Sequence, residues 1–120
     1  MGHAAETTIV YVGLARLPHP LVTPAPSLAV ELEVDGGSRL IVSATTNLPF
    51  PGLERLLREV VVGRPVDSLS GAALLELEVR YSAPFTSALR AAVQAAARRA
   101  QESEGPRVFQ PEQRVAVSSA

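Results

Sequence analysis

Arg80 and Tyr81 are the neighbours in this chain whose side-chain types could do chemistry side by side. A fixed guanidinium next to a phenol can hold a carboxylate and position the molecule that carries it. The same residues also suit a structural role, with Tyr81 anchoring the junction of two helices and Arg80 pairing with Glu76 or Glu78. Ion pairs on solvated faces are the commoner case. His19, set between Pro18 and Pro20, could act as a general base. No neighbour is placed to orient its ring, and a solitary loop histidine is more often solvated or capping a turn. Arg16 follows Gly13 at a spacing that could cradle an anion but matches no phosphate-binding loop, and a strand-ending turn accounts for the glycine. Arg16, His19, Arg80 and Tyr81 are thus the candidate ligand-binding residues, for a small molecule held between sheet and helices or between subunits. They do not make a complete catalytic set, and whether the chain is an enzyme stays open.

The remaining charged residues read as surface. Glu31 and Glu33 stand on the polar side of a strand, where pairing with Arg39 is a simpler account than acid–base work by two carboxylates. Arg98 and Arg99 fit the solvated side of a helix, with Glu102 one turn on from Arg98.

Composition removes several classes of function. Without cysteine the chain has no disulfide, thiolate nucleophile or thiolate metal ligand, and His3 and His19 are not spaced to share a metal. No cofactor and no transition metal are expected. A serine triad fails for want of a convergent histidine. The net charge of −1 gives no footprint for nucleic acid or an anionic membrane, so neither is expected as a partner. No apolar run approaches the ~20 residues of a membrane span, and no signal-peptide pattern opens the chain, which makes a cytoplasmic location the default. With 47% apolar and 19% charged residues over 120 positions, the chain can bury one ordinary core.

The elements that must carry these residues follow from periodicity. Residues 7–14 (TTIVYVGL) are β-branched and aromatic, and the prolines at 18, 20, 24 and 26 make the next stretch an extended connection. Leu28, Val30, Leu32 and Val34 alternate with Ala29, Glu31 and Glu33 as in a half-buried strand. Asp35-Gly36-Gly37-Ser38 then turns the chain into a third strand over 39–46. The expected register is a three-residue loop with Asp35 opposite Arg39, Val34 opposite Leu40 and Leu32 opposite Val42. Leu53, Leu56, Leu57, Val60 and Val61 set a helical stripe, flanked by Glu54/Arg58 and Arg55/Glu59 at i, i+4 and closed by Gly63 and Pro65. Residues 84–102 form an alanine-rich helix with Phe85, Ala88, Leu89, Ala92, Val93 and Ala96 along one side. Between them, 70–81 satisfies a strand pattern (Leu75, Leu77, Val79, Tyr81) as well as a helical one (Leu74, Leu77, Tyr81). The stretch 105–120 reads as a flexible or loosely docked tail.

Three motifs in this order, Val12-Gly13-Leu14-Ala15-Arg16-Leu17-Pro18, Val62-Gly63-Arg64-Pro65 within 56–69, and Arg80-Tyr81 opening into the alanine-rich helix, resemble the small bacterial proteins grouped as domain of unknown function 3870. The likeness spans about 7–102. That family's pattern has a glycine two residues after the Arg-Tyr pair, where this chain has Ala83-Pro84-Phe85-Thr86-Ser87. A more remote, architectural likeness is to iron–sulfur cluster scaffold domains, whose cysteine ligands are absent here, with Asn47 and Ser82 near the corresponding places. Fold likeness does not transfer function, so no cluster is implied. Both resemblances imply a helix over 70–81.

The expected fold is therefore α+β, a three-stranded antiparallel sheet followed by three helices (βββααα) on one face, in a single domain over 1–104. The expected function is a non-catalytic, self-associating binding or assembly module; the alternative is a small-molecule-binding protein or enzyme with a cleft lined by Arg16, Arg80 and Tyr81. A homo-oligomer is expected because Ile9, Tyr11 and Ile41, together with Val10 and Val12, put apolar side chains on both faces of a sheet that helices can cover on one side only. Ile41 is the position at which a polar substitution tests that contact.

Overall fold

The computed structural model describes residues 7–17, 27–69 and 71–103. Its elements are β1 (Thr8–Arg16), β2 (Ser27–Asp35), β3 (Ile41–Thr46), α1 (Pro51–Val61), a short 3-10 turn (Val66–Ser68), α2 (Gly71–Arg80) and α3 (Thr86–Glu102). The strands form one antiparallel sheet in the order β1-β2-β3, and the helices pack against it, giving the α+β arrangement. His19 and the tail over 105–120 lie outside the described residues.

One side of the sheet is core. Leu28, Val30, Leu32 and Val34 are fully buried, as their alternation requires. α3 lies over β1 and β2 and presents Ala88, Leu89, Ala92, Val93 and Ala96 to them, while α1 covers β3 with Leu53, Leu57 and Val60. The ambiguous segment is helical: α2 packs on α1 and α3 and buries Ala73, Leu74 and Leu77. Its strand-like alternation of Leu75 and Val79 with glutamates instead leaves those two residues exposed.

Gly13 does not end a strand. It sits inside β1, paired with Val30, and a Cβ there would run into the backbone of Ala92 and Ala96. The glycine is what lets α3 settle onto the sheet, a close approach that only a residue without a side chain permits.

The hairpin differs from its expected register. Arg39 N donates to Asp35 O at 2.8 Å and Asp35 N to Leu40 O at 2.9 Å, so the chain reverses over 36–39. Arg39 takes the left-handed conformation (φ 65°) in place of either neighbouring glycine. Val34 then faces Ile41, and a bulge at Val42 sets Glu33 against Ser43 and Leu32 against Ala44. The bulge turns Ala44 inward, while Ser43 and Thr45 join the side that carries Glu33 and Glu31. Ile41 is fully buried in the core, so the sheet's outward apolar surface is not built from it.

Candidate functional site

Two arginines organise the polar structure, in opposite ways. The Arg39 side chain is buried. Its Nε and Nη2 reach Asp67 Oδ2 and Oδ1 at 2.9 and 2.7 Å, Nη1 donates to Tyr11 OH at 3.1 Å, and Nη2 donates to Ala100 O at 2.7 Å. The fork ties β1, the end of α3 and the 3-10 turn to the hairpin, and Ser103 continues it by donating to Ala100 O at 2.7 Å. The bidentate bond to Arg39 holds the Asp67 carboxyl below its ordinary range and keeps the guanidinium charged. Arg39 is not the partner of Glu31 and Glu33, which accept hydrogen bonds from Thr45 and Thr8 instead.

Arg80 lies on the surface at the end of α2. It pairs with Glu59 at 3.0 Å and with Glu76 at 3.2 Å, the second being the i, i+4 bond its spacing predicts. Glu59 is thereby taken from Arg55, and Glu78 goes to Arg90 at 3.6 Å. Tyr81 packs on Phe85 with ring centroids 5.8 Å apart, and Phe85 stacks on Phe50 at the same separation. Burial pushes the Tyr81 phenol up. Arg80 and Tyr81 share a cleft of about 340 Å³ with Gly52, Arg55, Leu56 and Glu59. Arg16 is not among the residues lining it; it stands at the end of β1, exposed. Of the three candidate residues that are described, the structure brings Arg80 and Tyr81 together and leaves Arg16 apart; His19 lies outside the described residues. Arg80 already bonds two carboxylates, through Nη1 to Glu76 and Nη2 to Glu59, so a ligand's carboxylate would share the guanidinium with them.

The sheet's two edges provide the third feature. Beyond β3, residues 63–66 run alongside: Gly63 N donates to Ile41 O at 2.8 Å, Ile41 N to Arg64 O at 2.9 Å and Val66 N to Arg39 O at 3.0 Å. Further along, Arg58 Nε donates to Ala44 O at 3.1 Å. Among the described residues nothing pairs with the outer edge of β1. Gly36 N donates to Thr7 O at 2.8 Å, which makes Thr7 and Gly36 a hydrogen-bonded pair of the β1–β2 ladder. The alternation of an antiparallel ladder then turns the backbone groups of Thr8, Val10, Val12, Leu14 and Arg16 to the open side. The side chains of these residues lie on the face away from the helices, where Val10, Val12 and Leu14 are 50%, 36% and 63% exposed. A shallow groove of about 640 Å³ runs along this edge, lined by β1 from Val10 to Leu14 and by Ala95 and Arg99 of α3.

Val10 and Val12 stand out in the sequence because they break the alternation expected of a one-sided strand; Leu14, attributed there to a strand end, extends their strip. The Arg39 node leaves no such mark, since Asp67 and Ala100 approach it only after folding. Among the described residues no group of histidine, cysteine or acidic side chains is arranged to hold a metal ion, and no helix is long and apolar enough to cross a membrane. Comparisons with protein-family models, with curated proteins and with solved structures found no match to this chain.

Proposed function

We propose that this chain is a non-catalytic assembly module that associates with itself through the uncovered side of β1. The observation that carries the reading is the strip Val10, Val12 and Leu14, apolar and exposed along a strand whose outer edge has no partner among the described residues. An open apolar edge is a template for another strand, which natural sheets usually blunt with charge, proline or a covering loop. The β3 edge of this sheet is covered in that manner, and among the described residues nothing covers the β1 edge. Burying the strip gains roughly 25 cal/mol per Å² against the cost of association. Light scattering on the purified chain at micromolar concentration should return at least the dimer mass; a monomer mass overturns the reading.

A second reading has its own observation. Among the described residues Arg55 has no carboxylate partner, because Glu54 pairs with Arg58 and Glu59 with Arg80, and its cleft also holds the Tyr81 phenol. That combination suits a small anionic ligand. A thermal-shift screen of carboxylate-bearing metabolites tests it, because a ligand held by the native state raises the melting temperature by mass action. A shift abolished by Arg55→Ala would favour this reading, and no shift across the screen would remove it.

A further inference from the structure

We infer that β1 pairs antiparallel with β1 of a second copy about a two-fold axis at Val12, joining two three-stranded sheets into one continuous sheet. The inference rests on the self-association proposed above and adds its geometry. The register follows from the strand itself. β1 runs Thr8–Arg16, so a two-fold axis at its midpoint, Val12, uses the whole length, and any other register leaves one end of the open ladder unpaired. On the outer face this sets Val12 against its copy, Val10 against Leu14 and Thr8 against Arg16, so that the apolar strip meets itself.

Charge fits the same arrangement. On that face Glu33 and Glu31 have hydroxyl partners, Thr8 and Thr45, and no cation among the described residues. Arg16 has no carboxylate partner among the described residues. Pairing about Val12 places Arg16 across from Thr8 of the other copy, the residue that donates to Glu33 at 2.8 Å. The long arginine side chain spans Thr8 to that carboxylate, and symmetry supplies the bond twice. Arg99, on the rim of the groove, stays in solvent.

The absence of native cysteine makes the geometry directly testable. Cα atoms of a hydrogen-bonded antiparallel pair lie about 5.5 Å apart, inside the span a disulfide bridges. Val12→Cys should therefore form a covalent dimer on mild oxidation, whereas Leu75→Cys, more exposed but on α2, should not. In the same register Val10→Cys mixed with Leu14→Cys should cross-link, and Val10→Cys alone should not. Arg16→Glu should raise the dimer dissociation constant roughly tenfold at low salt, two rim pairs being lost, and Arg16→Glu combined with Glu33→Arg should restore it. A dimer mass without cross-linking at Val12, or with cross-linking of Val10→Cys alone, overturns the edge pairing and leaves self-association standing. A monomer mass overturns both.

Discussion

The two edges of this sheet face the same physical problem and meet it differently. An edge strand exposes a row of unpaired N–H and C=O groups. At β3 the chain answers with its own backbone: residues 63–66 bond to Arg39 and Ile41, and Arg58 reaches Ala44 O. The covering segment is held by the pair between buried Arg39 and the half-exposed Asp67, and turned by Gly63 at φ 92°. At β1 nothing comparable lies among the described residues, and between Thr8 and Arg16 the exposed side chains are Val10, Val12 and Leu14. Among the described residues the fold thus closes one edge from within the chain and leaves the other open, which is the contrast the proposed self-association rests on.

The comparison can be broken most forcefully at Arg39. Arg39→Ala removes the fork and leaves Ala100 O, the Tyr11 hydroxyl and Asp67 without it, so unfolding free energy should fall by about 3 kcal/mol, discounted for the partial exposure of Asp67. Chemical denaturation measures this, and an unchanged midpoint would mean that the β3 margin does not depend on the pair. Gly13→Ala acts on the inner side of the other edge. The added Cβ meets backbone that cannot swing aside, and a loss of about 2 kcal/mol is expected as α3 is forced off β1. Gly63→Ala should cost about 1 kcal/mol, from positive φ alone, since a Cβ there meets nothing nearby.

Acid should loosen the β3 margin in a defined sense. Hydrogen bonding to Arg39 depresses the Asp67 pKa in the folded chain, so its contribution is complete above the unfolded carboxylate value and is lost as pH falls through the folded one. Asp67→Asn should remove that part of the stability decline below about pH 4. Melting curves of the two proteins that keep the same difference from neutral pH down to strong acid would contradict this assignment.

Much of the architecture was legible in the sequence because it is written in local periodicity. The alternation of Leu28, Val30, Leu32 and Val34, the stripe from Phe85 to Ala96 and the i, i+4 pairing of Glu76 with Arg80 need only neighbours to be understood. What escaped depends on residues far apart in the chain. Gly13 is required by Ala92 and Ala96, Arg39 by Asp67 and Ala100, and the bulge at Val42 by the inward turn of Ala44. Gly36 and Gly37 carry the stronger local signal for positive φ, yet Arg39 adopts it because its side chain is fixed in the core. The candidate site was partly legible. Arg80 and Tyr81 do adjoin one cleft, whereas Arg16 stands apart from it on β1. Ile41, chosen as the test of an interface, belongs to the core, and the exposed strip is Val10, Val12 and Leu14.

Residue-resolved amide hydrogen exchange, followed as the protein is diluted, tests the central claim most directly because it reads both edges in one experiment. The amides of Ile41 and Gly63, bonded within the chain, should stay protected at every concentration. Those of Val10, Val12 and Leu14 should be protected where the protein is dimeric and lose that protection as dilution yields monomers, while Ile9, Tyr11 and Gly13 remain slow throughout. Rapid exchange at Val12 in concentrated protein, or protection there that persists in a verified monomer, would contradict the account.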